Sequence, residues 1–115
     1  MFGVIYLWKV LPDKRAEHAA VMNRVLEIER ERCGEVLLNL TLGPSADGTC
    51  AEVQLYADAK SAEEFPQRAA REDAELKRLW DALNPLCDPQ SWQTIRFEGN
   101  DFVKQFFARK ELNRT

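Results

Sequence analysis

Tyr6, His18 and Arg96 are the side chains of this chain best placed to move protons and hold negative charge. His18 is its only histidine, the residue type whose ordinary pKa suits base work near neutrality. A tyrosine hydroxyl can orient a hydroxylated ligand, and an arginine keeps its charge inside a pocket, where it can steady an oxyanion. Trp8 and Trp80 offer flat faces on which an aromatic ligand stacks. Asn39 is a polar residue inside an otherwise apolar run. Tyr6, His18 and Arg96 are therefore the catalytic candidates, and Trp8, Asn39 and Trp80 the substrate-binding ones. Their shared chemistry is proton removal from a bound small molecule and stabilisation of the resulting anion.

Each of these residues also has a purely structural reading. Tyr6, Trp8 and Trp80 fall at spacings typical of core or interface packing. His18 suits a rim histidine bonded to backbone, and Arg96 and Glu52 suit an ion pair across a sheet. Asn39 fits a hairpin edge equally well.

The elements that must position them can be read in order. Phe2 to Val10 is a strand whose two alternating faces are both apolar: Phe2, Val4, Tyr6, Trp8 and Val10 on one, Ile5 and Leu7 on the other. Such a strand is covered on both sides. Pro12-Asp13 opens a helix from Lys14 to Cys33 that stops at Gly34, with Ala19, Met22, Val25, Leu26 and Ile28 at helical spacing. His18 falls on the same apolar arc. Val36–Leu42 and Thr49–Ala57 alternate as strands and flank a turn cluster containing Asp47-Gly48, which predicts a hairpin. Ser61-Ala62-Glu63-Glu64 has the form of a capping box. Pro66 predicts a break, with a longer helix from about Arg68 to Ala82 burying Leu76, Leu79, Trp80 and Leu83. Its charged run, Arg68 to Arg78, reads as a solvated face with i,i+4 pairs. Ser91 to Glu98 reads as the last strand, and Phe102, Val103, Phe106, Phe107 and Leu112 mark an amphipathic C-terminal helix.

Composition narrows the partners. The 115 residues suit one domain, and 45% hydrophobic with 30% charged content describes an ordinary globular chain. A net charge of −3 without a basic stripe disfavours nucleic acid. No run is long enough to span a membrane, and the N-terminal stretch lacks the form of a signal peptide, so a cytoplasmic location is expected. Cys33, Cys50 and Cys87 lie far apart without a Cys-x-x-Cys pair, so no disulfide framework or metal site is expected. A Gly-rich phosphate loop is absent as well.

The order β-α-β-β-α-β gives an α+β, ferredoxin-like fold over residues 1–98: a four-stranded antiparallel sheet with helices on one face. Residues 99–115 form a C-terminal helical extension. The uncovered sheet face remains apolar, which predicts a homodimer packed sheet to sheet.

The opening Phe2-Gly3-Val4-Ile5-Tyr6-Leu7-Trp8-Lys9-Val10-Leu11-Pro12-Asp13 resembles the antibiotic biosynthesis monooxygenase family. Its members begin with an apolar strand ending in Trp-basic-Val-x-Pro-Gly, and Asp13 stands where they usually have glycine. The resemblance extends to the element order from residue 1 to about 98. It implies a dimeric α+β barrel with a pocket between sheet and helices in each subunit. It further implies a monooxygenase that acts on a small aromatic or quinol-like compound with molecular oxygen and no cofactor. Related members degrade haem with an asparagine on the first strand and a histidine on the second helix; here Tyr6 takes the first place and no histidine the second. Two further readings stay open: a non-catalytic ligand-binding or stress-associated dimer, and an isomerase or lyase with His18 as base.

Overall fold

A computed structural model describes residues 1–97. Strand β1 (Phe2–Lys9) runs into a 3-10 turn at Pro12–Lys14 and then helix α1 (Arg15–Arg32). The proline fixes the backbone angle needed to enter the turn. Strands β2 (Leu38–Leu42) and β3 (Thr49–Tyr56) form the predicted hairpin. Helices α2 (Ala59–Glu72) and α3 (Ala74–Leu83) follow, then a 3-10 turn at Asn84–Leu86 and strand β4 (Gln93–Phe97). The sheet is fully antiparallel in the order β2-β3-β1-β4. This is the ferredoxin-like arrangement expected from the element order. Glu98 and the C-terminal helix predicted beyond it lie outside the described residues.

Two boundaries differ from the sequence reading. The second helix starts at Ala59 rather than at the Ser61 box, because the Asp58 carboxylate accepts from the backbone N–H of Ser61 and caps it first. The helix also runs straight through Pro66 and breaks at Asp73 instead. Asp73 adopts an extended backbone and caps α3 by accepting from the N–H of Leu76 at 3.0 Å. A well-capped, packed helix tolerates the donor lost at Pro66; the capping aspartate decides where the chain turns. Gly48 shows why the hairpin turn needs its glycine. Its φ is +91°, and a Cβ there would sit 2.6 Å from the carbonyl oxygen of Val10. That close approach lets the Gly48 carbonyl accept from the N–H of Val10 at 2.9 Å.

The core lies between the sheet and the helices. Phe2, Val4, Val25, Ile28, Tyr56, Phe65 and Leu76 make one cluster, and Trp8, Val10, Met22, Cys50, Leu83 and Leu86 the other. All three cysteines are buried and free. Even-numbered residues of β1 and β3 face the helices, whereas Ile5, Leu7, Ala51, Val53 and Leu55 face away. The register places Leu38, Leu40, Leu42, Ile95 and Phe97 on that same outer face. All five are well exposed, Leu42 most of all at 59%. No helix among the described residues is long and apolar enough to cross a membrane.

Candidate functional site

The helix-facing side of the sheet is unusually polar. On β3 it carries Glu52 and Gln54 between Cys50 and Tyr56, and on β2 it carries Asn39 and Thr41. Pairing lays these into rows: Thr41, Glu52, Tyr6 and Thr94 across one line, and Asn39, Gln54, Val4 and Arg96 across the next. Helix α1 closes over the rows with His18, Met22, Val25 and Glu29, residues three or four apart on one stripe. Between them lies a cavity of about 230 Å³, lined by Tyr6, Trp8, Glu29, Glu52, Gln54, Phe65, Trp80 and Trp92 among others.

Its walls are aromatic. Trp92, just ahead of β4, stacks on Trp8 with ring centroids 5.3 Å apart and planes 16° from parallel. Trp80 of α3 meets Phe65 of α2 edge to face at 6.0 Å. These rings present π faces to a flat guest. Trp80 lines the cavity.

Polar groups gather at the β2–β3 end. Glu29 and Glu52 are buried, 4% and 8% exposed. The Asn39 amide donates one hydrogen to Oε2 of each, both at 2.8 Å, while its own carbonyl oxygen accepts from the Thr41 hydroxyl at 2.8 Å. Burial, and then the charge of Glu52, pushes Glu29 up to about 8. Burial raises Glu52 too, opposed by the bonds it accepts from its neighbours. Tyr6 stands beside the pair, its hydroxyl pKa raised by burial and by Glu52, while Arg96 acts in the opposite direction.

The six predicted residues therefore separate. Tyr6, Trp8 and Trp80 line one cavity, Arg96 approaches Tyr6 from β4, and Asn39 ties together two of the cavity's carboxyls. His18 sits elsewhere: it is buried behind Trp8, where its Nε2 accepts from the indole N–H at 3.0 Å. Burial lowers its pKa, so it is a neutral acceptor that fixes the tryptophan ring and does not line the cavity. The predicted Arg96–Glu52 pair does not form among the described contacts, because β1 lies between β3 and β4. Glu29 is the residue the sequence reading missed. Its signal was there: it follows His18, Met22 and Val25 on the stripe that faces the sheet. Among the described residues, no three potential ligands gather as a metal site.

The chain matches no protein-family model. It matches no curated protein by sequence either. Solved structures do match. One, an antibiotic biosynthesis monooxygenase, superposes with a TM-score of 0.70 at 16% identity, covering 87% of this chain and 99% of its own. A Caulobacter crescentus CB15 protein assigned to the same group gives 0.71 at 18% identity, over 87% and 90%. This chain has the antibiotic biosynthesis monooxygenase fold. A point variant of SnoaB, a cofactor-independent oxygenase from Streptomyces nogalater, shares it at a TM-score of 0.65 and 14% identity, over 90% and 97%. At these identities the likeness establishes architecture alone.

Proposed function

We propose that the protein is a cofactor-independent monooxygenase acting on a small aromatic or quinol-like compound with molecular oxygen. The observation that carries this reading is the cavity: stacked indole and phenyl walls around a cluster of hydrogen-bonding groups. An electron-rich phenol fits that division, its ring between Trp8, Trp80 and Trp92 and its hydroxyl against the polar end. The net reaction balances without an added reductant. A ring methylene, or the phenol that is its enol, plus one O2 gives a ring carbonyl plus one water. Carbon loses four electrons and oxygen gains them. Tyr6 orients the substrate oxygen, and Arg96 draws negative charge toward the β4 side.

The test is oxygen consumption by purified protein over a panel of naphthols, anthrone-type ketones and quinols, with no metal or flavin added. Tyr6→Phe and Arg96→Ala accompany the wild type. Turnover that survives both changes intact removes these residues from the mechanism. A second reading is a ligand-binding protein without turnover. It is favoured by His18, the chain's only histidine, being occupied with Trp8 and withdrawn from the cavity.

We further infer that a second copy covers the outer sheet face. Leu38, Leu40, Leu42, Val53, Leu55, Ile95 and Phe97 form one apolar surface on the side opposite the helices, and sheet-to-sheet packing about a two-fold axis buries it in both chains. Native mass spectrometry decides between a dimer and a monomer.

A further inference from the structure

Glu29 has an unusual position for a carboxylate. It is only 4% exposed, yet no lysine, arginine or histidine pairs with it among the described residues. Its one hydrogen-bond donor there is Asn39, which reaches Oε2. Oε1 has no donor among the described residues and is not sealed off, which leaves it facing the cavity that Glu29 lines. Glu52 meets the same Asn39 nitrogen from the sheet side through its Oε2, and also accepts from the Gln54 side chain. The Thr41 hydroxyl, committed to Asn39 at 2.8 Å, stays 3.5 Å from Glu52. Asn39 has both its hydrogens on carboxyls, while its oxygen accepts from Thr41. One clip sets two acid groups side by side at the polar end of an aromatic cavity.

We propose that Glu29 and Glu52, held together by Asn39, act as a single proton acceptor for an acidic hydroxyl of the bound aromatic. This rests on the oxygenase reading above and names its base. Two adjacent buried carboxyls repel when both ionise, so near neutrality the pair keeps one proton and one charge. The remaining titratable groups around it are Tyr6 from β1, Tyr56 from β3, and Cys33 and Glu35 after α1. None is a cation. Helices α2 and α3 contribute Phe65, Pro66, Trp80 and Leu83, which do not titrate. Arg96 faces Tyr6 from β4.

When the substrate O–H bond breaks, its proton goes to the ionised member of the pair and its electron pair stays on the ring. The site carries one negative charge before and after; the charge has moved from carboxylate to phenolate. The phenolate then passes one electron to O2, and the resulting superoxide joins the ring carbon as a peroxide. A proton returned from the pair, loss of the ring hydrogen and cleavage of the O–O bond give the carbonyl and water. The substrate class follows: phenols, naphthols and their keto tautomers acidic enough for a carboxyl pair of raised basicity to ionise.

The experiment uses 2-naphthol bound without oxygen, so that ionisation is read apart from oxidation. The absorption of bound naphtholate is expected in wild type at pH 7.5 and is lost in Glu29→Gln/Glu52→Gln. These amides keep an acceptor for Asn39, and circular dichroism checks the fold. Aerobic rates of the two single variants are expected to fall about 100-fold. The double variant should be little worse than the weaker single, since the two carboxyls act as a unit. The wild-type rise of rate with pH should also disappear. A neutral bound naphthol, no naphthol binding, or unchanged rates and pH profile in the folded variants overturns the proposal. Bound naphtholate with no oxygen uptake on any substrate leaves the proton acceptor standing and overturns the oxygenase reading instead.

Discussion

On β2 and much of β3, the two faces of the sheet invert the usual rule. On the side covered by helices, β2 and β3 present Asn39, Thr41, Glu52 and Gln54; on the bare side they present Leu38, Leu40, Leu42, Val53 and Leu55. A chain that folded only for itself would place the leucines under the helices. Here the protected face carries buried polar groups beside the cavity, and the apolar alternation is left exposed in the single chain. On the proposed reading, the same strands serve chemistry on one side and association on the other.

That contrast can be broken from the apolar side first, where the largest effect is expected. Leu40→Arg puts a charge in the middle of the outer face, and an unpaired charge buried in a sheet-to-sheet contact costs about 3–5 kcal/mol. If the proposed dimer forms, native mass spectrometry and gel filtration should show it for the wild type and a monomer for the variant. An unchanged dimer would mean that the chains meet elsewhere.

The polar side yields next. The free Glu29 carboxyl ionises near 4.5 in the unfolded chain and near 8 in the folded one. Between those values the unfolded state has released a proton that the folded state retains, so stability falls as pH rises through the window. Glu29→Gln removes the slope. It should stabilise the protein by a few kcal/mol at pH 8, on the scale of about 1.4 kcal/mol per pH unit, and make no difference near pH 4. Denaturation followed by circular dichroism at several pH values reads this directly.

His18 pulls the other way. Its folded pKa lies below the ordinary 6.5, so its contribution is complete above that value and is lost as pH falls. His18→Ala should shift the acid limb of the stability profile and leave the buried Trp8 N–H without its acceptor, at a cost of about 1–3 kcal/mol. The two ends of α1 thus carry opposite pH dependences, about 16 Å apart along the helix. Outside both faces the effects should vanish. Lys77→Ala breaks only an exposed i,i+4 pair with Asp81 and should cost less than about 0.5 kcal/mol in the same denaturation assay.

Most of the architecture was legible because it rests on short-range rules. Alternation gave the strands, the Asp-Gly turn gave the hairpin, and element order left few topologies to consider. The helix break was misplaced because Pro66 is a loud signal, whereas the aspartate caps at Asp58 and Asp73 are quiet ones. Tyr6, Trp8 and Trp80 were readable as a set, since an aromatic facing helices is either core or cavity wall. His18 was correctly placed on the buried arc, but its contact with Trp8 depends on a strand ten residues away and carries no local signature. Glu29 and Glu52 were harder still. Each looks like an ordinary surface acid in its own element, and only the crossing of α1 over β3, with Asn39 from β2 between, makes them a pair.

The stacked indoles at the cavity wall have an optical consequence. The chain contains three tryptophans, and Trp8, Trp80 and Trp92 all line the same space. Its intrinsic emission is therefore a gauge of what that space holds, with no background from remote rings. The near-parallel overlap of Trp8 and Trp92 should couple their transitions into a paired ellipticity signal that an intercalating guest would abolish. A quinone formed between these rings would darken them by accepting their excitation. On the oxygenase reading, the protein's own emission should dim as product accumulates and brighten when it leaves.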